Sequence, residues 1–338
     1  MIVEMRTGAT PEEIDAVVQK AKSLGLDVQL NVGTNKTVVA VLGSSTGQLS
    51  TDILAVLPGV EKVTRIMKPY KLASREFKRE DSLVSVDDIQ IGGRRVVVMA
   101  GPCAVENEEQ IMEAARIVKE SGACILRGGA FKPRTSPFSF QGLEKAGLEL
   151  LARASDKWGL PVITELVDPH DVGMVSKYAD ILQIGARSMQ NFALLSAVGR
   201  SSYPVVLKRG FSCTVTEWLT AADYILAGGN NRVILCERGI RTFEDSTRFS
   251  LDISSIPVVK KYSHLPVIVD PSHAAGHYSL VPAIAKAAVA AGADGLLIEV
   301  HPNPKEALVD GLQSLTPSDF ARLMEELKLI ANSVGRYI

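Results

Sequence analysis

The sequence predicts an α/β protein, a (β/α)8 barrel preceded by a small ferredoxin-like βαββαβ domain. Three observations carry this reading. From Arg95 onward eight short apolar runs alternate with amphipathic segments of helix length, nearly every run ends in a charged or reactive residue, and the first seventy residues follow a different order. A chain of 338 residues is long enough for one large domain with a buried core plus a small second one. Apolar residues make up 46%, charged residues 22%, and the net charge is -1. Such a balance offers no global field for nucleic acid or a membrane, so any anion site has to be a local cluster.

The early segment reads strand over residues 2–5, helix over 11–24, strands over 27–31 and 37–42, helix over 49–57 and strand over 62–66, the split βαββαβ order. Thr10 before Pro11 and two glutamates suits a helix start, and Gly25 a stop. Residues 68–81 are rich in charge and break the periodicity, as a linker does. The expected organisation is a domain over 1–70, a linker and barrel entry over 71–94, and a catalytic barrel over 95–338. In the barrel the runs fall at 96–100, 124–127, 161–165, 181–185, 204–208, 233–237, 266–270 and 295–300. Continuous β-branched runs bury both faces, as parallel strands between helices require. A doubly wound open sheet would not bring all eight strand ends around one pocket, whereas a barrel does.

No stretch reaches the roughly 20 apolar residues of a membrane span, and the opening MIVEMRTGATPEE lacks a basic-then-apolar leader pattern, so a cytoplasmic location is expected. Cys103, Cys124, Cys213 and Cys236 show no CxxC spacing. They are expected to be reduced and to form neither a disulfide scaffold nor a zinc knuckle.

At the strand ends stand Arg127, Lys132, Arg134, Arg187, Lys208, Arg209 and Arg238. Lone strand-end arginines are commonly solvated or paired, and Arg209 is read that way. The set as a whole could neutralise two phosphorylated substrates, one with a carboxylate, because arginine forks bind both groups bidentately. The segment Arg127-Gly-Gly-Ala-Phe-Lys-Pro-Arg-Thr-Ser136 is the most specific in the chain. Its glycines allow close backbone approach, Pro133 stiffens the turn, and Arg134, Thr135 and Ser136 offer donors to one phosphate. Cys103, His273, Glu299 and Asp310 form a second constellation, with sulfur, nitrogen and carboxylate donors that suit manganese, iron or zinc better than magnesium. Singly, the cysteine is as readily a buried inert thiol and the histidine a helix cap; the four groups together at one mouth favour a divalent metal. Asp270, beside His273, joins the catalytic candidates. His170 and His264 are read as structural, and His277 and His301 as supporting groups near the mouth.

These residues lie in longer motifs: AGPCAVE (100–106), RGGAFKPRTSPFSFQG (127–142), ITELVDP (163–169), QIGARSMQN (183–191), LKRG (207–210), CERG (236–239), DPSHAAG (270–276) and EVHPNP (299–304) with Asp310. Across essentially the whole chain they resemble 3-deoxy-D-arabino-heptulosonate 7-phosphate (DAHP) synthases, the shorter class with an N-terminal ferredoxin-like domain. The resemblance implies condensation of phosphoenolpyruvate with erythrose 4-phosphate, the first step of the shikimate pathway, and no appended chorismate mutase domain. It implies that Cys103, His273, Glu299 and Asp310 hold the metal. Arg127, Lys132, Arg187, Lys208 and Arg238 would hold phosphoenolpyruvate, and Arg134, Thr135 and Ser136 the aldose phosphate. Lys132 is the candidate general acid, and Glu165 with Lys208 would position water, a structural ion pair being the equal alternative for Glu165. Resemblance to regulated members implies phenylalanine or tyrosine as effector at the first domain, an assembly or stability module being the alternative; homo-oligomers are common for barrels of this kind, and a tetramer is favoured. The nearest rival is 3-deoxy-D-manno-octulosonate 8-phosphate synthase, whose corresponding loop reads Lys-Ala-Asn-Arg; Lys132-Pro133-Arg134-Thr135 here brings the arginine one residue closer and favours the four-carbon aldehyde. A pyruvate aldolase would need fewer cations, and a non-catalytic amino-acid sensor would not need the ligand set.

Overall fold

The computed structural model describes residues 1–33, 36–133 and 136–338. They fall into two units, Met1–Asp81 with Tyr262–His264, and Ser82–Lys261 with Leu265–Ile338.

In the first unit Ile2–Met5 (β1), Pro11–Ser23 (α1), Asp27–Val32 (β2), Thr37–Leu42 (β3), Asp52–Ala55 (α2) and Val60–Thr64 (β4) follow one another. The sheet order is β2-β3-β1-β4, with neighbours antiparallel. Helix α1 begins with a capping box. Thr10 accepts from the Glu13 amide, and the Glu13 carboxylate accepts from the Thr10 amide, so two otherwise unpaired donors are satisfied. Its Val17 and Ala21 bury against Val3, Val39, Val41 and Leu54.

The second helix is shorter than the periodicity predicts. Residues 44–51 are serine, threonine, glycine, glutamine and leucine, and the hydroxyls bond locally: Thr46 donates to the Gly43 carbonyl, and Ser50 accepts from the Asp52 amide. Such bonds compete with helix formation, leaving a 3-10 turn at Ser44–Gly47 and a single turn at α2. Residues 68–81 also differ from a loose linker. Tyr70, Leu72, Ala73 and Phe77 are buried, and the charges between them pair within the first unit: Lys68 with Glu76 at 2.8 Å, Arg79 with Glu4 at 2.7 Å, and Arg75 with Asp81.

The second unit opens with an antiparallel hairpin, Val84–Val86 (β5) and Ile89–Ile91 (β6), which the sequence reading placed in the barrel entry without assigning strands. Eight strands then close a barrel: Val97–Gly101 (β7), Ile125–Arg127 (β8), Val162–Leu166 (β9), Ile181–Ile184 (β10), Val205–Lys208 (β11), Val233–Glu237 (β12), Val267–Val269 (β13) and Gly295–Glu299 (β14). All pairs are parallel, and β14 meets β7 from Gly295 opposite Val97 to Glu299 opposite Gly101. The helices between them include Glu108–Glu120 (α3), Glu144–Trp158 (α4), Val172–Val175 (α5), Phe192–Gly199 (α6), Val215–Ala227 (α7), Ser255–Tyr262 (α8), Pro271–Ala275 (α9), Val281–Ala290 (α10) and Pro317–Ser333 (α11).

Val84, Val86, Ile89 and Ile91 join one apolar cluster with strand-start residues such as Val97, Ile125 and Ile181. The hairpin therefore plugs the N-terminal end of the barrel, and the chemistry is left to the other end. Replacing Ile91, which is fully buried, by alanine should cost about 2–4 kcal/mol, read as a lower unfolding midpoint in urea. The neighbouring exposed Gln90→Ala should change stability by less than about 0.5 kcal/mol. Equally small effects at both positions would show that the hairpin is not part of the core.

Candidate active site

Each candidate side chain is carried to the mouth by a strand end. Arg127, Lys208 and Glu299 are the last residues of β8, β11 and β14, and Arg238 follows β12. Cys103 lies two residues beyond β7. It follows Gly101, whose φ is 147° and where a Cβ would stand 2.1 Å from the Arg127 carbonyl oxygen, so only glycine lets the first two strand ends approach this closely. Asp270 caps α9 by accepting from the His273 amide at 2.9 Å. The helix cap is thus the aspartate, and the histidine ring is free to face the mouth. Asp310 has φ 54° in the loop after β14.

Cys103, His273, Glu299 and Asp310 each present a ligand atom, and all four atoms lie within 4.8 Å of one another. Cys103 Sγ is 3.4 Å from Asp310 Oδ2, and His273 Nε2 is 3.6 Å from Glu299 Oε1 and 3.8 Å from Asp310 Oδ2. On its other side His273 Nδ1 stands 2.7 Å from Asp270 Oδ2, close enough for attraction but poorly aligned for a hydrogen bond. One sulfur, one imidazole nitrogen and two carboxylates converging in this way fit a divalent transition metal.

Burial sets the electrostatics. It pushes the Cys103 thiol up to about 12, with Glu299 adding to the effect, so a thiolate here calls for a strong local cation. Burial alone would raise Glu299, but His273 and Arg127 overcome it and hold the carboxyl at about 2. Arg127 Nη1 contacts Glu299 Oε1 at 2.7 Å, and Gln313 Nε2 donates to Oε2 at 2.6 Å. Asp270 is likewise held well below the usual carboxylate range, because His273 and Lys208 outweigh its burial; Lys208 Nζ is 2.6 Å from its Oδ2. Burial lowers the His273 pKa against the pull of Asp270 and Glu299. Lys132 donates to the Cys103 carbonyl at 3.0 Å and lies 3.2 Å from Sγ. Burial would lower its ammonium, but Cys103 and Glu165 raise it above its ordinary value, so it stays protonated.

A cavity of about 270 Å³ opens beside this cluster, with Lys132, Glu165, Arg187, Arg238, His273 and Asp310 in its wall. Ser136 also reaches it, whereas Arg134 and Thr135 lie outside the described residues. Lys208 and Asp270 stand behind the wall, each 5% exposed or less. Arg209 is a structural cation: its guanidinium bonds Glu237 at 2.9 Å and Asp252 at 2.8 Å. His170 is exposed and bonds Asp168, and the half-buried His277 bonds Ser279. His264 bonds the Leu72 carbonyl, and His301 is buried 3.6 Å from Glu106. A larger groove of about 710 Å³ runs past Met112, Arg116, Trp158 and His301, but it contains none of the candidate ligand, catalytic or substrate-binding residues.

Sequence reasoning passed over four residues at the mouth. Gln313 bonds Glu299, and Arg248 contacts Asp310 at 3.2 Å and Gln313 at 2.8 Å. Phe211 and Phe249 stack with ring centroids 5.0 Å apart. Arg248 and Phe249 lie in an irregular loop where no periodicity points inward.

Comparison with known proteins agrees with this geometry. Residues 75–333 match the DAHP synthetase I family, and residues 1–68 the DAHP synthase ferredoxin-like domain. The chain is 49% identical over 335 residues to phospho-2-dehydro-3-deoxyheptonate aldolase of Thermotoga maritima, covering 99% of each chain. The crystal structure of a Thermotoga maritima protein of that name superposes with a TM-score of 0.80 at 48% identity, over 99% of this chain and 98% of that one. A 2-dehydro-3-deoxyphosphooctonate aldolase of Desulfatibacillum aliphaticivorans is 34% identical over 262 residues, covering 72% of this chain and 94% of the relative. With the barrel, the ferredoxin-like unit and the full-length similarity in agreement, the chain belongs to the DAHP synthase family.

Proposed function

We propose that the protein condenses phosphoenolpyruvate with erythrose 4-phosphate to give 3-deoxy-D-arabino-heptulosonate 7-phosphate and inorganic phosphate, in a metal-dependent reaction that opens aromatic biosynthesis. The observation that carries the proposal is the meeting, at one barrel mouth, of a four-donor ligand set with cations that face a shared cavity. The 99% coverage of a DAHP synthase relative supports it. The octulosonate relatives compared cover a smaller share of this chain, 70–73%.

Cys103, His273, Glu299 and Asp310 would hold the metal, which when bound supplies a Lewis acid for the aldehyde oxygen. Arg187 and Arg238 bind the phosphate of phosphoenolpyruvate, and Arg127, Lys132 and Lys208 complete its site. Arg134, Thr135 and Ser136 bind the aldose phosphate. As C3 of phosphoenolpyruvate attacks the aldehyde carbon, Lys132 donates its proton to the aldehyde oxygen, consistent with an ammonium held protonated. Glu165, in the cavity wall, positions the water that adds at C2 together with Lys208, and the hemiketal phosphate then releases phosphate. Asp270 fixes Lys208 and the rear of His273. The first unit, which contributes none of these residues, is the seat of feedback by phenylalanine or tyrosine.

Purified enzyme with manganese should release phosphate from phosphoenolpyruvate with erythrose 4-phosphate at least tenfold faster than with arabinose 5-phosphate; the reverse preference would reassign the substrate. Arg187→Ala should raise KM for phosphoenolpyruvate by a factor corresponding to about 1.5–3 kcal/mol, and Arg134→Ala should act mainly on erythrose 4-phosphate. Equal effects of both variants on both substrates would refute the division. Removal of the segment before Ser82 should leave condensation in place and abolish inhibition by phenylalanine and tyrosine. Inhibition of the truncated enzyme as strong as that of the full chain would sink the regulatory assignment.

A further inference from the structure

Most buried cations at the mouth are paired with an acid: Arg127 with Glu299, Lys208 with Asp270, and Arg209 with Glu237 and Asp252. Arg238 is different. It is 3% exposed, it forms no ion pair among the described residues, and its buried Nη1 has no hydrogen-bond partner. What it touches is aromatic. Its guanidinium carbon lies 4.1 Å from the Phe249 ring centroid and 4.9 Å from that of Phe211. Arg187 lies 5.3 Å from Phe211. Both rings line the same cavity as the two arginines.

A π face attracts a guanidinium through its quadrupole but carries no net charge. An acid in that place would hold Arg238 equally well and would neutralise it. We propose that Phe249 and Phe211 are positioning residues that anchor Arg238 without cancelling its charge, so that the whole cation remains available to the phosphate of phosphoenolpyruvate. This deepens the substrate assignment above and rests on it.

Two further features fit this role. Burial lowers the Arg238 pKa to about 10, against the pull of Asp270 and with Arg248 and Arg187 adding to the lowering. The group stays charged at neutral pH but is poorly solvated, and an anion would relieve that. The rings are also fixed from behind. Gly239, with φ 90°, leaves room for Phe249, whose Cβ would stand 2.6 Å from any Cβ added there. The Phe249 amide donates to the Ala274 carbonyl at 3.0 Å, and the Phe211 carbonyl accepts from the Arg241 amide at 2.6 Å.

The test is phosphoenolpyruvate binding by calorimetry on the full-length manganese enzyme, which needs no turnover, followed by steady-state kinetics. Phe249→Leu keeps much of the apolar contact and removes the π face. It should weaken phosphoenolpyruvate binding and raise its KM about tenfold, with KM for erythrose 4-phosphate changed less than twofold, and Phe249→Tyr should restore binding to within about twofold of wild type. If Phe249→Leu does not fold, Phe211→Leu reads the same prediction, with a KM effect of about threefold or more. Binding by the leucine variant within twofold of wild type, or a tyrosine variant as weak as leucine, overturns the proposal. A wild type that binds phosphoenolpyruvate but does not condense it with erythrose 4-phosphate would overturn the assigned reaction and leave this role intact. A wild type that fails to bind it would overturn both.

Discussion

Glu299 and Asp270 are each 1% exposed, and both carry charge, because cations and one imidazole are built around them. Arg127 pairs with Glu299, Lys208 pairs with Asp270, and His273 stands between the two acids at 3.6 and 2.7 Å. Isolated burial would drive either acid to its neutral form; the partners reverse that. The ionised Glu299 is what makes a ligand set out of neighbouring groups, since a neutral carboxyl would leave only the thiol, the imidazole and Asp310. Gln313 secures its second oxygen. Removing Arg127 would leave a buried acid without its counter-ion, and a proposed metal ligand and a proposed substrate cation would be lost in one change.

The same mouth divides its cations by the way they are neutralised. Lys208 and Arg209, behind the wall, are paired with carboxylates. In the wall, Arg248 is paired with Asp310, whereas Arg187 and Arg238 rest on aromatic rings and keep their charge for an incoming anion. Lys132 lies between the two groups, bonded to the Cys103 carbonyl and within 3.2 Å of its sulfur. It therefore links the ligand set to the cavity in which a substrate aldehyde would sit.

Much of this was legible in the residues. The eight β-branched runs locate the barrel strands to within one or two residues, because strands buried on both faces admit few polar residues, and the charged or reactive residue at or just after nearly every run marks the mouth. The start of α1 after Thr10 was equally plain. The shortened α2 was not, because hydroxyl-to-backbone bonds at Thr46 and Ser50 defeat a pattern that looks helical by hydrophobicity alone. Residues 68–81 read as a linker from their charge, whereas Tyr70, Leu72 and Phe77 are buried and the charges around them are paired. At the site, donors at strand ends were visible, while Arg248, Phe249 and Gln313 come from loops whose path only the folded chain defines.

The convergence of Cys103, His273, Glu299 and Asp310 on one metal is the claim on which the chemistry rests, and X-ray absorption at the metal edge of zinc-loaded protein tests it most directly. One sulfur neighbour at about 2.3 Å, together with nitrogen and oxygen neighbours at about 2.0–2.2 Å, is the expected result, with the sulfur lost in Cys103→Ser. A metal bound at full occupancy without a sulfur neighbour, or with one that survives in Cys103→Ser, would contradict the account.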